Sequence, residues 1–136
     1  MTLTNGNDPV QVYRPSTGAI TTSSAAASDV LTSLDRHATT AFVAGTVFNA
    51  DLSVRGTVAV WPGVVSPDGT RLYHPDVNVS DVRVFDITPS LPFGEELAAI
   101  DVPGVPNERP AIAVVDPRGK HIYYVTEQKF IVIPLP

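Results

Sequence analysis

Apolar and polar residues alternate in short runs along this chain. Val82-Arg83-Val84-Phe85-Asp86 reads apolar, basic, apolar, aromatic, polar, and Val10-Gln11-Val12-Tyr13-Arg14 repeats that order with a polar residue in second place. A period of two marks strands that keep one face in a core. Thr46-Val47-Phe48-Asn49 and Phe130-Ile131-Val132-Ile133 are looser copies. A second class of strand is expected at Thr57-Val58-Ala59-Val60-Trp61-Pro62-Gly63 and Leu97-Ala98-Ala99-Ile100-Asp101-Val102-Pro103-Gly104. Both end in Pro-Gly, which stops a strand and sets a turn. Initial strands are expected at Val30-Leu31-Thr32-Ser33, Gly63-Val64-Val65-Ser66 and Ala111-Ile112-Ala113-Val114-Val115.

Turns punctuate these strands at regular places. Asp35-Arg36-His37-Ala38, Ser66-Pro67-Asp68-Gly69 and Asp116-Pro117-Arg118-Gly119 each lead into a strand with an aromatic residue, Phe42, Tyr73 or Tyr123, seven positions after the turn begins. Such a recurrence points to one supersecondary unit written several times, the signature of a β-propeller. Units fall near 29–63, 64–104 and 105–136, and residues 9–24, with their own turn at Pro15-Ser16-Thr17-Gly18, read as the end of a preceding unit. Blades take roughly 40 to 50 residues, so 136 residues hold about three, whereas a closed ring needs roughly four to eight. The expected fold is all-β: about three four-stranded antiparallel blades, an incomplete ring, and a single partial propeller domain over residues 1–136. The last blade lacks a fourth strand. Ser24-Ala25-Ala26-Ala27-Ser28-Asp29 is expected to be a loop, because serine and aspartate compete with the helix backbone and the segment is short.

Composition narrows the function. The content is 43% hydrophobic and 17% charged, which suits a packed core, and the net charge of −5 argues against sequence-independent binding to nucleic acid, which needs a basic face. Cysteine is absent, so neither disulfides nor thiolate metal sites hold the fold. No apolar run reaches the roughly 18 residues of a membrane-spanning helix, and the polar stretch Met1 to Asp8 lacks the features of a signal peptide, so export would need a signal upstream.

With the turns in view, Val65-Ser66-Pro67-Asp68-Gly69-Thr70-Arg71-Leu72-Tyr73 resembles the YVTN-type β-propeller repeats of bacterial and archaeal surface and secreted proteins. Asp116-Pro117-Arg118-Gly119-Lys120-His121-Ile122-Tyr123 is a poorer copy, and Tyr124-Val125-Thr126-Glu127 resembles the naming motif one residue out of register. The resemblance covers about residues 30–133. Its turn has a physical logic: proline presets φ, aspartate bonds its own backbone, and glycine accepts positive φ. What the resemblance implies is an extracellular or cell-surface location and a non-catalytic module, part of a larger protein, that binds protein or carbohydrate or serves as scaffold. The alternative it leaves open is a fragment of a propeller enzyme of the lactonase type, with most catalytic residues in other blades. Equivalent inner-strand positions hold Val12, Val47, Val84 and Val132, which favours scaffold over enzyme.

Chemistry-bearing residues are sparse. His37 belongs to a turn, His121 to a second strand and His74 to the chain just beyond one, so the histidines are not expected to converge on a metal. Asp76-Val77-Asn78-Val79-Ser80-Asp81 opens like a calcium loop but has Asp81 where glycine belongs and Ile87 where a bidentate acid belongs. The adjacent Glu95 and Glu96 would point to opposite faces of a strand, a poor arrangement for paired carboxylate chemistry. No nucleophile elbow or phosphate loop is present. No catalytic residue, metal or cofactor is therefore expected. In propellers the loops between second and third strands and between blades line a ligand face, which implies His74, Asp76, Asn78, Asp81, Asn107, Glu108 and Arg109 as binding candidates. Open blade edges imply self-association.

Overall fold

A computed structural model describes residues 8–14, 16–27, 32–76, 81–90, 92–102, 112–125 and 129–136. Among them the chain is all-β. Strands β1 (Asp8–Arg14) and β2 (Ala19–Ala27) form a hairpin. Then come β3 (Thr32–Leu34), β4 (Thr40–Val43), β5 (Thr46–Asn49) and β6 (Val54–Thr57), an antiparallel four-stranded meander called sheet 1 here. Sheet 2 is the meander β7 (Val64–Val65), β8 (Arg71–Asp76), β9 (Asp81–Asp86) and β10 (Glu96–Asp101). Sheet 3 has three strands, β11 (Ile112–Val115), β12 (His121–Val125) and β13 (Phe130–Pro134). No helix among the described residues is long and apolar enough to cross a membrane.

The three repeated turns have one geometry. The N–H of the first residue donates to the carbonyl five positions on, at 3.0 Å for Asp35, 2.9 Å for Ser66 and 2.9 Å for Asp116. The N–H of the fourth residue donates back to the first, and that fourth residue has positive φ: +55° at Ala38, +72° at Gly69 and +67° at Gly119. A side-chain oxygen at the first position gathers the following amides. Asp35 accepts from the N–H of Thr39 and Thr40, Ser66 from those of Thr70 and Arg71, and Asp116 from those of Arg118 and Lys120. Gly69 also has no room for a side chain, since a Cβ there would lie 2.5 Å from the Thr40 hydroxyl.

Period two then sorts side chains between layers. On β8, Leu72 packs toward sheet 1 with Phe42, Val47, Val65, Phe85 and Ile87, while Tyr73 packs toward sheet 3 with Val84, Ile122, Tyr124 and Ile133. Both faces of β8 and β9 are therefore packed, while β10 at the outer edge is largely exposed, and the sheets stack in chain order. The aromatic seven residues after each turn always points forward: Phe42 from sheet 1 into sheet 2, Tyr73 from sheet 2 into sheet 3. Tyr124, one residue out of that register, faces back into sheet 2 and is fully buried.

Some expectations are corrected. The fourth strand of sheet 1 is Val54–Thr57 instead of residues 57–63. Val58 still donates to Gly45, but Val60 donates to Val58 at 2.7 Å, closing a tight turn that takes the chain off the sheet. The apolar residues that imitated a strand fill the space between sheets, Val58 buried and Val60 packed beside it. Residues 24–27, expected as a loop, continue β2, because β1 supplies a partner that holds the alanine-rich stretch extended, with Pro9 opposite Ala26 and Asp8 opposite Ala27. His74 lies inside β8 instead of just beyond it, since that strand continues to Asp76.

Candidate functional site

Of the predicted binding loop residues, Asn78, Asn107, Glu108 and Arg109 lie outside the described residues, as does the Asn78-Val79-Ser80 stretch of the calcium-like segment. His74 is 9% exposed, and its Nδ1 is 2.6 Å from the Pro62 carbonyl oxygen, so it is tied into the interior and not offered to a ligand. The structure does bring Asp76 and Asp81 together. They stand directly opposite across β8 and β9, and Asp81 stands opposite Asp101 on β10. Directly opposed residues share a face, so three carboxylates line one end of sheet 2.

Arg83, two pairs further in toward the turn between β8 and β7 and on the opposite face parity to Val82 and Val84, serves this row. Its guanidinium reaches Asp76 at 4.0 Å, hydrogen-bonds Glu96 directly, and lies 5.6 Å from the centre of the Phe85 ring. The bond to Glu96 holds the Arg83 proton more firmly than usual. Asp101, Arg83 and Glu96 were not among the sequence candidates. The signal that would have found Arg83 and Asp101 is register: once Asp76 and Asp81 close a hairpin, Arg83 returns to their face two residues on and Asp101 stands opposite Asp81, whereas Glu96 joins them only through the register shift between Glu96 and Ala98, which the sequence does not announce. No group of three or more His, Asp or Glu among the described residues is arranged to hold a metal. His37 is exposed in its turn, and His121 bonds Asp116 at 3.1 Å.

A second place for a ligand lies where the sheets meet. The first strands of the three sheets, β3, β7 and β11, are neighbours. The Ser33 hydroxyl accepts from Val65 N–H at 2.8 Å, and Arg36 N–H donates to the Pro67 carbonyl at 3.1 Å, which locks sheet 1 to sheet 2 at this edge. Between the three strands is a concavity of about 270 Å³ walled by Leu34, Val64, Val65, Val114 and Val115, with Arg36 at its margin. Leu34 and Val114 are 44% and 47% exposed. Of the equivalent positions Val12, Val47, Val84 and Val132, Val47 and Val84 are core, whereas Val132 is 47% exposed on sheet 3.

A polar cleft of about 320 Å³ lies between the second and third turns, with Asp68, Thr70, Arg71, Tyr73 and Arg118 around it. Partial burial of Asp68 works to raise its pKa, but hydrogen bonds from Ser66 and Thr70 outweigh it and hold the carboxyl below its ordinary value. Tyr73 is shifted up by burial, against the pull of its bond to Arg71. The carboxylate offsets the two guanidiniums, which makes this cleft a weak anion attractor compared with a purely cationic one. Comparison with protein-family models, with curated proteins and with solved structures found no match for this chain.

Proposed function

We propose that this chain is a run of β-propeller blades from a larger exported or cell-surface protein and that it works as a non-catalytic module for binding protein segments. The blade reading is supported by three consecutive antiparallel meanders that stack in chain order with their first strands side by side. Export rests on the resemblance of the Ser66-Pro67-Asp68-Gly69 turn and its strand to surface-protein repeats.

The observation that carries the binding role is the concavity between β3, β7 and β11. It is apolar with a single guanidinium at its margin, built on strand edges that the neighbouring sheets hold rigid, the arrangement of a pre-formed site. Its lining includes no aromatic ring on which a sugar would stack, so a peptide with an apolar side chain beside a carboxylate fits it better than a carbohydrate. Peptide display against the chain, followed by titration of Leu34→Lys and Arg36→Glu, tests this. Selected peptides should bind the wild type and lose at least about tenfold in both variants, equal to about 1.4 kcal/mol. Binders indifferent to both changes would place recognition elsewhere.

A further inference from the structure

The three repeated turns bring equivalent positions side by side. Arg36, Pro67 and Pro117 are each the second residue of their turn, and Arg118 follows Pro117. The Arg36 N–H donates to the Pro67 carbonyl at 3.1 Å, and a Cβ at Gly119 would lie 3.7 Å from the Pro67 ring, so turn touches turn across all three sheets. Pro67 and Pro117 line both the apolar concavity and the polar cleft. The two hollows are therefore one groove, divided by a ridge of two proline rings, with Arg36 on its first turn and Arg118 on its last.

The charge of this groove runs against that of the chain. The chain carries −5, yet the groove presents Arg36, Arg71 and Arg118 against one carboxylate, Asp68. Arg71 stands opposite Asp86 in the pairing of β8 with β9 and adds to the lowering of that carboxyl's pKa, so its charge is already engaged. Asp68 is held ionised by Ser66 and Thr70 of its own turn, not by a guanidinium. Arg36 and Arg118 are exposed, and among the described residues neither has an ion pair.

We infer that the groove takes one extended acidic peptide, with an apolar side chain in the concavity and a carboxylate on each side of it, one at Arg36 and one at Arg118. This rests on the peptide-binding reading of the concavity and adds a second charged contact beyond the proline ridge. In an extended segment, side chains two positions apart share a face and lie about 6.6 Å apart, so the recognised pattern is acid, any residue, apolar, any residue, acid. An exposed guanidinium–carboxylate pair contributes little by itself, but an anchored apolar side chain delivers the carboxylate at high effective concentration. Opposite charge also steers the encounter toward this one edge of an acidic chain. Under the blade reading, further blades extend the stack at its forward and backward faces, so they lie beside this edge and not across it.

Anisotropy titration of the full chain with a fluorescein-labelled peptide tests it: leucine at the centre, aspartate two positions to either side, serine elsewhere. The wild type should bind this peptide at least about threefold more tightly than either peptide with one aspartate replaced by serine. Arg118→Glu, which turns attraction into repulsion, should cost at least about tenfold and be rescued by a peptide with lysine in place of one aspartate, since a charge-swapped rescue reports direct coupling. Lys120→Glu makes the same change of charge in an exposed residue beside the same turn, without lining the groove, and should stay within about twofold because salt screens distant charges. A two-aspartate peptide that binds no better than the single ones, a Lys120→Glu loss equal to that of Arg118→Glu, or a failed rescue would overturn the inference. Leu34→Lys judges the underlying reading separately. Display-selected peptides that lose binding to Leu34→Lys and ignore Arg118→Glu leave that reading standing and remove the inference, whereas peptides that ignore both changes remove the two together.

Discussion

Truncating the three register-equivalent aromatics to alanine separates sheet stacking from local strand stability. Phe42 is fully buried among Val47, Val65, Leu72 and Phe85, so Phe42→Ala removes a ring from between two sheets and leaves a void that neither can close. Losses of this type cost about 3–5 kcal/mol. Tyr73, 4% exposed and set among Val84, Ile122 and Tyr124, should fall in the same range of about 3–5 kcal/mol. Tyr123 stacks on two rings of its own sheet, so Tyr123→Ala forfeits ring contacts with His121 and Phe130 and should cost about 1 kcal/mol in the monomer. Urea unfolding, followed by circular dichroism at concentrations where sedimentation shows monomer, gives the three values. Because a small domain has only about 5–15 kcal/mol in total, the first two variants should need an osmolyte to reach a folded baseline. A Phe42→Ala cost below about 1.5 kcal/mol, or a Tyr123→Ala cost equal to it, would refute the claim that the register buries each aromatic under the following sheet.

Two further outcomes follow from the turns and from titration. Ala38→Gly should raise stability by about 1 kcal/mol, because alanine at φ +55° is in the left-handed region, whereas Gly69→Ala should lower it by about 2–3 kcal/mol, adding the collision with Thr40 to the same backbone strain; thermal melts that rank the pair the other way would contradict the shared turn geometry. On pH, burial raises the Tyr73 pKa above its ordinary 10.0, so its contribution is whole below that value and is lost as pH climbs through the folded one. Asp86 runs the opposite way: the Thr88 hydroxyl and N–H hold its carboxyl below 3.8, so its contribution is present above 3.8 and lost as pH falls through the lower folded value. Melting temperature should therefore decline at both extremes, Tyr73→Phe flattening the alkaline limb and Asp86→Asn the acid one, and variants that keep both limbs would refute the assignment.

The chain's local order was legible in its residues. Alternation places strands at Val82–Asp86 and Phe130–Ile133, and the turn beginning at Ser66 carries its own instructions in proline, aspartate and glycine, because hairpin geometry depends on φ preferences and hydrogen bonds within six residues. Even the poorly matched turn at Asp35 folds alike, since the oxygen of its first residue does what Ser66 and Asp116 do. What period two cannot say is which apolar face meets which neighbour. Val58 and Val60 look like a strand and instead fill a gap between sheets, and Val132 matches Val84 in sequence but is exposed because no further sheet packs on sheet 3 among the described residues. His74 looked available until Pro62, twelve residues away, supplied a carbonyl. Strand and turn are set by bonds between near neighbours along the chain, whereas the concavity and the acidic row arise from contacts between sheets, which only the folded arrangement of the whole chain decides.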